Sequence, residues 1–211
     1  MRMWSRLKDE DNGTTLLEML VGMTLMAIFG GLFTTAIYSM TSTANKAQAL
    51  TSTSAQLSGA FLQLDKTVRY ATALSSPGQS SGGAATGDWY AEMRTTNTGG
   101  EVCTQLRVDK ATQQLQRRTW KVTNSTASGL TSWLPLASGI TNGGAAVTVP
   151  NDVPFTLTQP NGNIDYQQLT VRLISVAGNP TTSSRSLVTF NAINISTSTS
   201  LNNVCQEVGR P

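Results

Sequence analysis

Asn12-Gly13-Thr14-Thr15-Leu16-Leu17-Glu18-Met19-Leu20-Val21 opens an apolar run that continues to about Tyr38, and Glu18 is the one charged side chain within it. The next charge along the chain is Lys46. A hydrocarbon core ~30 Å thick takes ~20 helical residues, and this run supplies them. A carboxylate at the edge of such a segment costs free energy until it meets a cation, so it is expected to serve a purpose. No proline occurs from Thr14 to Leu74. Gly30-Gly31 sits mid-run, and each glycine weakens a helix by ~1 kcal/mol relative to Ala. The pair reads either as a soft point or as a close-packing contact between membrane helices.

A cleavable secretory signal has a shorter apolar core followed by a small-residue site. Here the run is long, so its retention as an anchor is expected. Arg2, Arg6 and Lys8 precede it, and the neighbouring Asp9, Glu10 and Asp11 count little in setting orientation. The N-terminus is expected to face the cytoplasm, with the rest of the chain outside. An ordinary single-pass anchor with an interfacial Glu18 is the plainer reading of the same residues.

The spacing of Gly13 and Glu18 resembles the type IV prepilin signal, in which a glycine is followed by a short hydrophobic step and a Glu at the fifth place after the cut. The chain thus resembles a pilin or pseudopilin. The resemblance implies residues 1–13 as a leader removed by a prepilin peptidase, cleavage between Gly13 and Thr14, and N-methylation of Thr14. It implies that Glu18 serves assembly, pairing with the terminal ammonium of a neighbouring subunit. It also implies other (pseudo)pilin subunits, an inner-membrane assembly platform and membrane lipid as partners. The place that the resemblance implies is the inner membrane, single-pass, and then a filament on the periplasmic or extracellular side. The family usually has Phe or Met directly after the cut, where this chain has Thr14. Major pilins often carry a proline inside the helix, which this chain lacks.

The apolar positions Leu50, Leu57, Ala60, Phe61, Leu64, Val68 and Ala71 recur at helical spacing, so the helix is expected to run over residues 14–74, with 14–40 as its transmembrane and assembly part. Phe61 to Ala71 is similar to the end of that helix in J-type minor pseudopilins. Asp65 and Arg69 are spaced for an i,i+4 ion pair. Ser75 to Gly87 reads as a connector. Glu101 to Val108 alternates Val102, Thr104, Leu106 and Val108, and Leu115 to Val122 returns as a second strand. That hairpin resembles the strand pair of J-type pseudopilins, its Leu115-Gln116-Arg117 standing where they carry L-x-R. Trp133 to Leu136 and Ile140 read as the passage into a second sheet. Phe155 to Thr158, Gln168 to Ser175 and Ser186 to Ile195 read as further strands. Leu169, Val171 and Leu173 share one face of the second of these, and Leu187, Thr189, Asn191 and Ile193 one face of the third. The expected fold class is α+β, a long N-terminal transmembrane helix packed on an antiparallel β-sheet domain over residues 75–211, as in the pilin fold.

The chain of 211 residues is 39% hydrophobic and 13% charged, which suits one soluble domain beyond the apolar helix. It has no histidine, which removes the commonest general base and metal ligand. No nucleophile constellation is present, and no enzyme activity is expected. Cys103 and Cys205 can form one disulfide outside the cytoplasm, or remain two buried thiols. No cofactor is expected. Asn161, Asn163 and Asp165 offer oxygens to Ca²⁺, although an Asn-Gly hairpin turn accounts for them without an ion. A net charge of +3 is low for a nucleic-acid reader. Arg107, Lys110, Arg117, Arg118 and Lys121 nevertheless crowd one hairpin and could contact phosphates. The leading expectation is a minor pilin or pseudopilin that primes or caps a type IV pilus-like filament, in a pilus, type II secretion or DNA uptake. The alternative is a filament-tip module that binds DNA, a surface or a secreted protein.

Overall fold

A computed structural model describes residues 15–80, 87–97, 100–123, 126–176, 183–195 and 204–205. The fold is α+β, one long N-terminal apolar helix followed by antiparallel sheets against which its C-terminal part packs. Two compact units are distinguished, Met1–Asn45 and Lys46–Pro211.

Helix α1 spans Leu16–Arg69 without a break at Gly30-Gly31. No proline interrupts it, and its first and last turns carry Glu18 and Lys66 with Arg69, the charge order that the helix dipole favours. Every residue from Thr15 to Thr41 is exposed. In the second unit the helix is one-sided: Leu57, Ala60, Leu64 and Val68 are buried, and Phe61 packs on Phe190 with ring centroids 6.1 Å apart. Arg69 grips Asp65 at 2.8 Å, the expected i,i+4 pair.

The helix stops at Arg69, short of the expected Leu74. Ala71–Leu74 is instead strand β1, paired with β3 (Trp89–Asn97) through Leu74↔Met93. Continuing the helix would forfeit those pairings, while Ala71, Ala73 and Leu74 are buried in the strand form. The expected connector Ser75 to Gly87 contains a two-residue strand, β2 (Gly78–Gln79), also on β3. Then come β4 (Gly100–Asp109), β5 (Gln114–Thr123), β6 (Thr126–Ser128) and β7 (Leu134–Ser138). The first sheet runs β1-β3-β4-β5-β6, with β7 also on β5. The second sheet, β10-β9-β8, comprises β8 (Phe155–Thr158), β9 (Gln167–Val176) and β10 (Ser183–Ala192).

Leu134 to Leu136 do not enter the second sheet. They remain on the first, where β7 pairs the end of β5 that β6 leaves open, an edge position that tolerates Pro135. The crossing follows at Gly139 to Thr141: Val176 N–H donates to Gly139 O at 2.9 Å and Thr141 N–H to Ile174 O at 2.8 Å. Gly139 has φ +75°, and a Cβ there would lie 2.9 Å from Val176 O, so only glycine fits the crossing.

On β9, Leu169, Val171 and Leu173 face inward as expected. On β10 the inward set is offset by one residue from the alternation Leu187, Thr189, Asn191, Ile193. Phe190 pairs with Leu169 and Val188 with Val171, so these share the core side while Leu187 and Ile193 are exposed. Helix, first sheet and second sheet meet in one core that includes Leu64, Val68, Met93, Leu106, Leu115, Ile140, Phe155 and Leu173.

Candidate functional site

The sequence points first to the head of α1. Gly13 and Thr14, the expected cleavage and methylation positions, lie outside the described residues. Thr15 caps the helix: its carbonyl accepts the N–H of Met19 at 3.2 Å and its Oγ1 accepts the N–H of Glu18 at 3.3 Å. Thr15-Leu16-Leu17-Glu18 is therefore the T-x-x-E pattern of a capping box, a signal that the sequence reading passed over. Glu18 occupies the third helical position, where the dipole favours an anion. It is exposed and has no ion-pair partner among the described residues.

Below Glu18 the helix is apolar on all sides, with Leu17, Leu20, Met23, Phe29, Leu32 and Phe33 among its exposed side chains. The threonine hydroxyls in this stretch turn inward to the backbone. Thr24 donates to Val21 O, Thr34 to Gly30 O, Thr35 to Gly31 O and Thr41 to Ile37 O, at 2.7 to 2.9 Å. It is the one described helix long and apolar enough to cross a membrane. Leu16 to Ile37 alone extends about 33 Å at 1.5 Å per residue, enough for the hydrocarbon core.

The five cations of the β4–β5 hairpin do not converge on one surface. Arg107 and Arg118 point to the face of the first sheet opposite the helix, and each is enclosed there. Arg107 bonds Asp109 at 2.9 Å and Gln116 Oε1 at 2.5 Å, and lies 3.6 Å from Asp88. Arg118 donates to Gln105 Oε1 at 2.6 Å, while Gln105 Nε2 donates to Glu92. The Trp133 ring covers both guanidiniums, 4.4 Å from that of Arg107 and 4.3 Å from that of Arg118. Arg117 lies on the other face, and Lys110 and Lys121 are exposed. Burial lowers the pKa of Arg118, and burial raises those of Tyr90 and Asp88; for Asp88 the hydrogen bond from Lys110 N–H partly offsets it. In this polar layer both guanidiniums are engaged by neighbouring side chains, with little left to offer a phosphate. The sequence hid it, because it depends on strand register and on a tryptophan fifteen residues beyond Arg118.

Cys103 and Cys205 are joined in a disulfide with a Cα–Cα distance of 5.7 Å. Trp120 Nε1 donates to Cys205 O at 3.2 Å, and Val204 packs beside them, which fixes residues 204–205 to the first sheet. In the turn between β8 and β9, Asn161 Oδ1 accepts the N–H of Asn163 at 2.9 Å, so that oxygen is engaged in the turn itself. Among the described residues no three His, Cys, Asp or Glu side chains gather as a metal centre. Against these features stands a plain result of comparison: no family model, no curated protein and no solved structure matches the chain.

Proposed function

We propose that the chain is a minor subunit of a type IV pilus-like filament, cut after Gly13 and assembled from the inner membrane through its apolar helix. The observation that carries this reading is Glu18: a capped, exposed carboxylate five residues after Gly13, at the head of a helix with no protein cover from Thr15 to Thr41. Lipid satisfies the apolar surface while the subunit waits in the bilayer, and neighbouring helices satisfy it in a filament. The second setting also offers Glu18 a cation held at a fixed place, the ammonium freed at Thr14 of another subunit. Such a pair relieves a desolvated carboxylate that would otherwise cost several kcal/mol. It also fixes axial register, which non-directional apolar packing does not.

In this reading the N-terminus faces the cytoplasm and residues 46–211 lie outside. A prepilin peptidase, sibling subunits and the assembly platform are the partners. Intact-mass measurement of the membrane form tests the cut, with a mature chain beginning at Thr14 expected; an uncut chain refutes it. Glu18→Gln keeps the side chain's size and removes its charge. Normal processing with poor incorporation into filaments is expected, and full incorporation rejects the pairing role.

A further inference from the structure

The last turn of α1, strands β1, β3 and β4, and the residue two beyond β10 enclose a cavity of about 530 Å³, lined by Lys66, Thr67, Tyr70, Thr72, Thr95, Thr96, Thr104 and Asn194. Its volume lies within the range of small-molecule sites, about 300–1,000 Å³. We propose that it binds a sugar carrying a carboxylate, of the uronic-acid type.

The lining chemistry selects that class. Three of its five threonine hydroxyls have spent their protons on the backbone. Thr67 donates to Gln63 O at 3.0 Å, Thr72 to Arg94 O at 3.1 Å and Thr95 to Val102 O at 3.3 Å. Each is left with lone pairs, so the matching ligand must donate. A bare phosphate or sulfate brings acceptors to acceptors, whereas a sugar brings hydroxyls. Tyr70 is 55% exposed and supplies a ring against which the C–H face of a pyranose can lie. Among the described residues Lys66 is exposed and has no ion-pair partner, and none of those that line the cavity is a carboxylate. One ammonium among neutral hydrogen-bonding groups calls for one carboxylate on a hydroxylated ligand. The inference does not depend on filament assembly.

The test uses the full chain in a detergent without a sugar headgroup. Trigalacturonate and the neutral galactotriose are titrated by NMR or calorimetry. Trigalacturonate is expected to bind at least about tenfold more tightly than the neutral trimer, the scale of one charge-assisted hydrogen bond. Lys66→Gln should bring the two affinities together, Tyr70→Ala should weaken both, and Lys46→Gln should change neither. Lys66 and Tyr70 are exposed, so these variants keep the fold, which circular dichroism checks. Equal binding of the two trimers, indifference to Lys66→Gln and Tyr70→Ala, or no binding of trigalacturonate at millimolar concentration each overturns the proposal.

Discussion

Replacing Cys205 by Ser opens a loop whose ends are 102 positions apart. In the chain-entropy description a closed loop of about 103 residues restricts the unfolded state by roughly 16 cal/mol/K, or about 4.7 kcal/mol at 25 °C. For a domain of this size each kcal/mol moves Tm by about 2–4 °C, so the loss is roughly 10–20 °C. The assay is a thermal melt of the full chain in detergent, followed by near-ultraviolet circular dichroism. Reduction of the native chain should reproduce the shift, and the double variant Cys103→Ser, Cys205→Ser should fall no further than either single one. Tryptophan emission adds a local readout, since Trp120 loses its hydrogen bond to Cys205 O when residues 204–205 come away. The expected red shift should vanish in a Trp120→Phe background. A Tm drop below about 3 °C, or a double variant whose loss is the sum of the singles, would refute the reasoning. The bridge would then not restrain the unfolded chain as its span requires.

Leu64 is buried between α1 and the sheets, and Leu64→Ala should cost about 2–5 kcal/mol in chemical denaturation; a loss below 1 kcal/mol would show that the helix face is loosely held. Asp88 concerns pH. Burial raises its pKa in the folded chain, so its contribution to stability is fully present below the unfolded value, about pH 4, and is lost as pH rises through the folded one. Asp88→Asn keeps an oxygen for the Lys110 N–H and removes the titration. Its melting temperature should therefore gain on the native chain between pH 4 and 7, and a trend of the opposite sign would contradict the assignment.

Local periodicity made the larger elements legible. The buried helical face at Leu57, Ala60, Leu64 and Val68, and strands β4, β5, β8 and β9, all follow from spacing alone. What failed depends on partners distant in the chain. Ala71–Leu74 has helical spacing but gains more by pairing with β3. Strand β3 itself was missed: Trp89, Ala91 and Met93 alternate with Tyr90, Glu92 and Arg94, but both sets are largely buried, so the charged residues do not mark a solvent face. On β10 both alternating sets contain apolar residues, so only the register against β9 decides which faces inward. The same holds for the site. Glu18 stands out because charge is absent around it, whereas Trp133 over Arg107 and Arg118, and the hydroxyl-lined cavity, are assembled from segments that spacing cannot connect.

The inward turn of the threonine hydroxyls has a consequence for the membrane-inserted form proposed above. With Thr24, Thr34, Thr35 and Thr41 bonded to their own backbone, the bilayer sees nearly the same greasy cylinder from every azimuth. Spinning about the long axis then changes little in solvation, and lipid imposes no preferred heading. In that form the heading of the stem falls to its own folded domain or to a partner, and Glu18 is the charged group that the stem would offer such a partner.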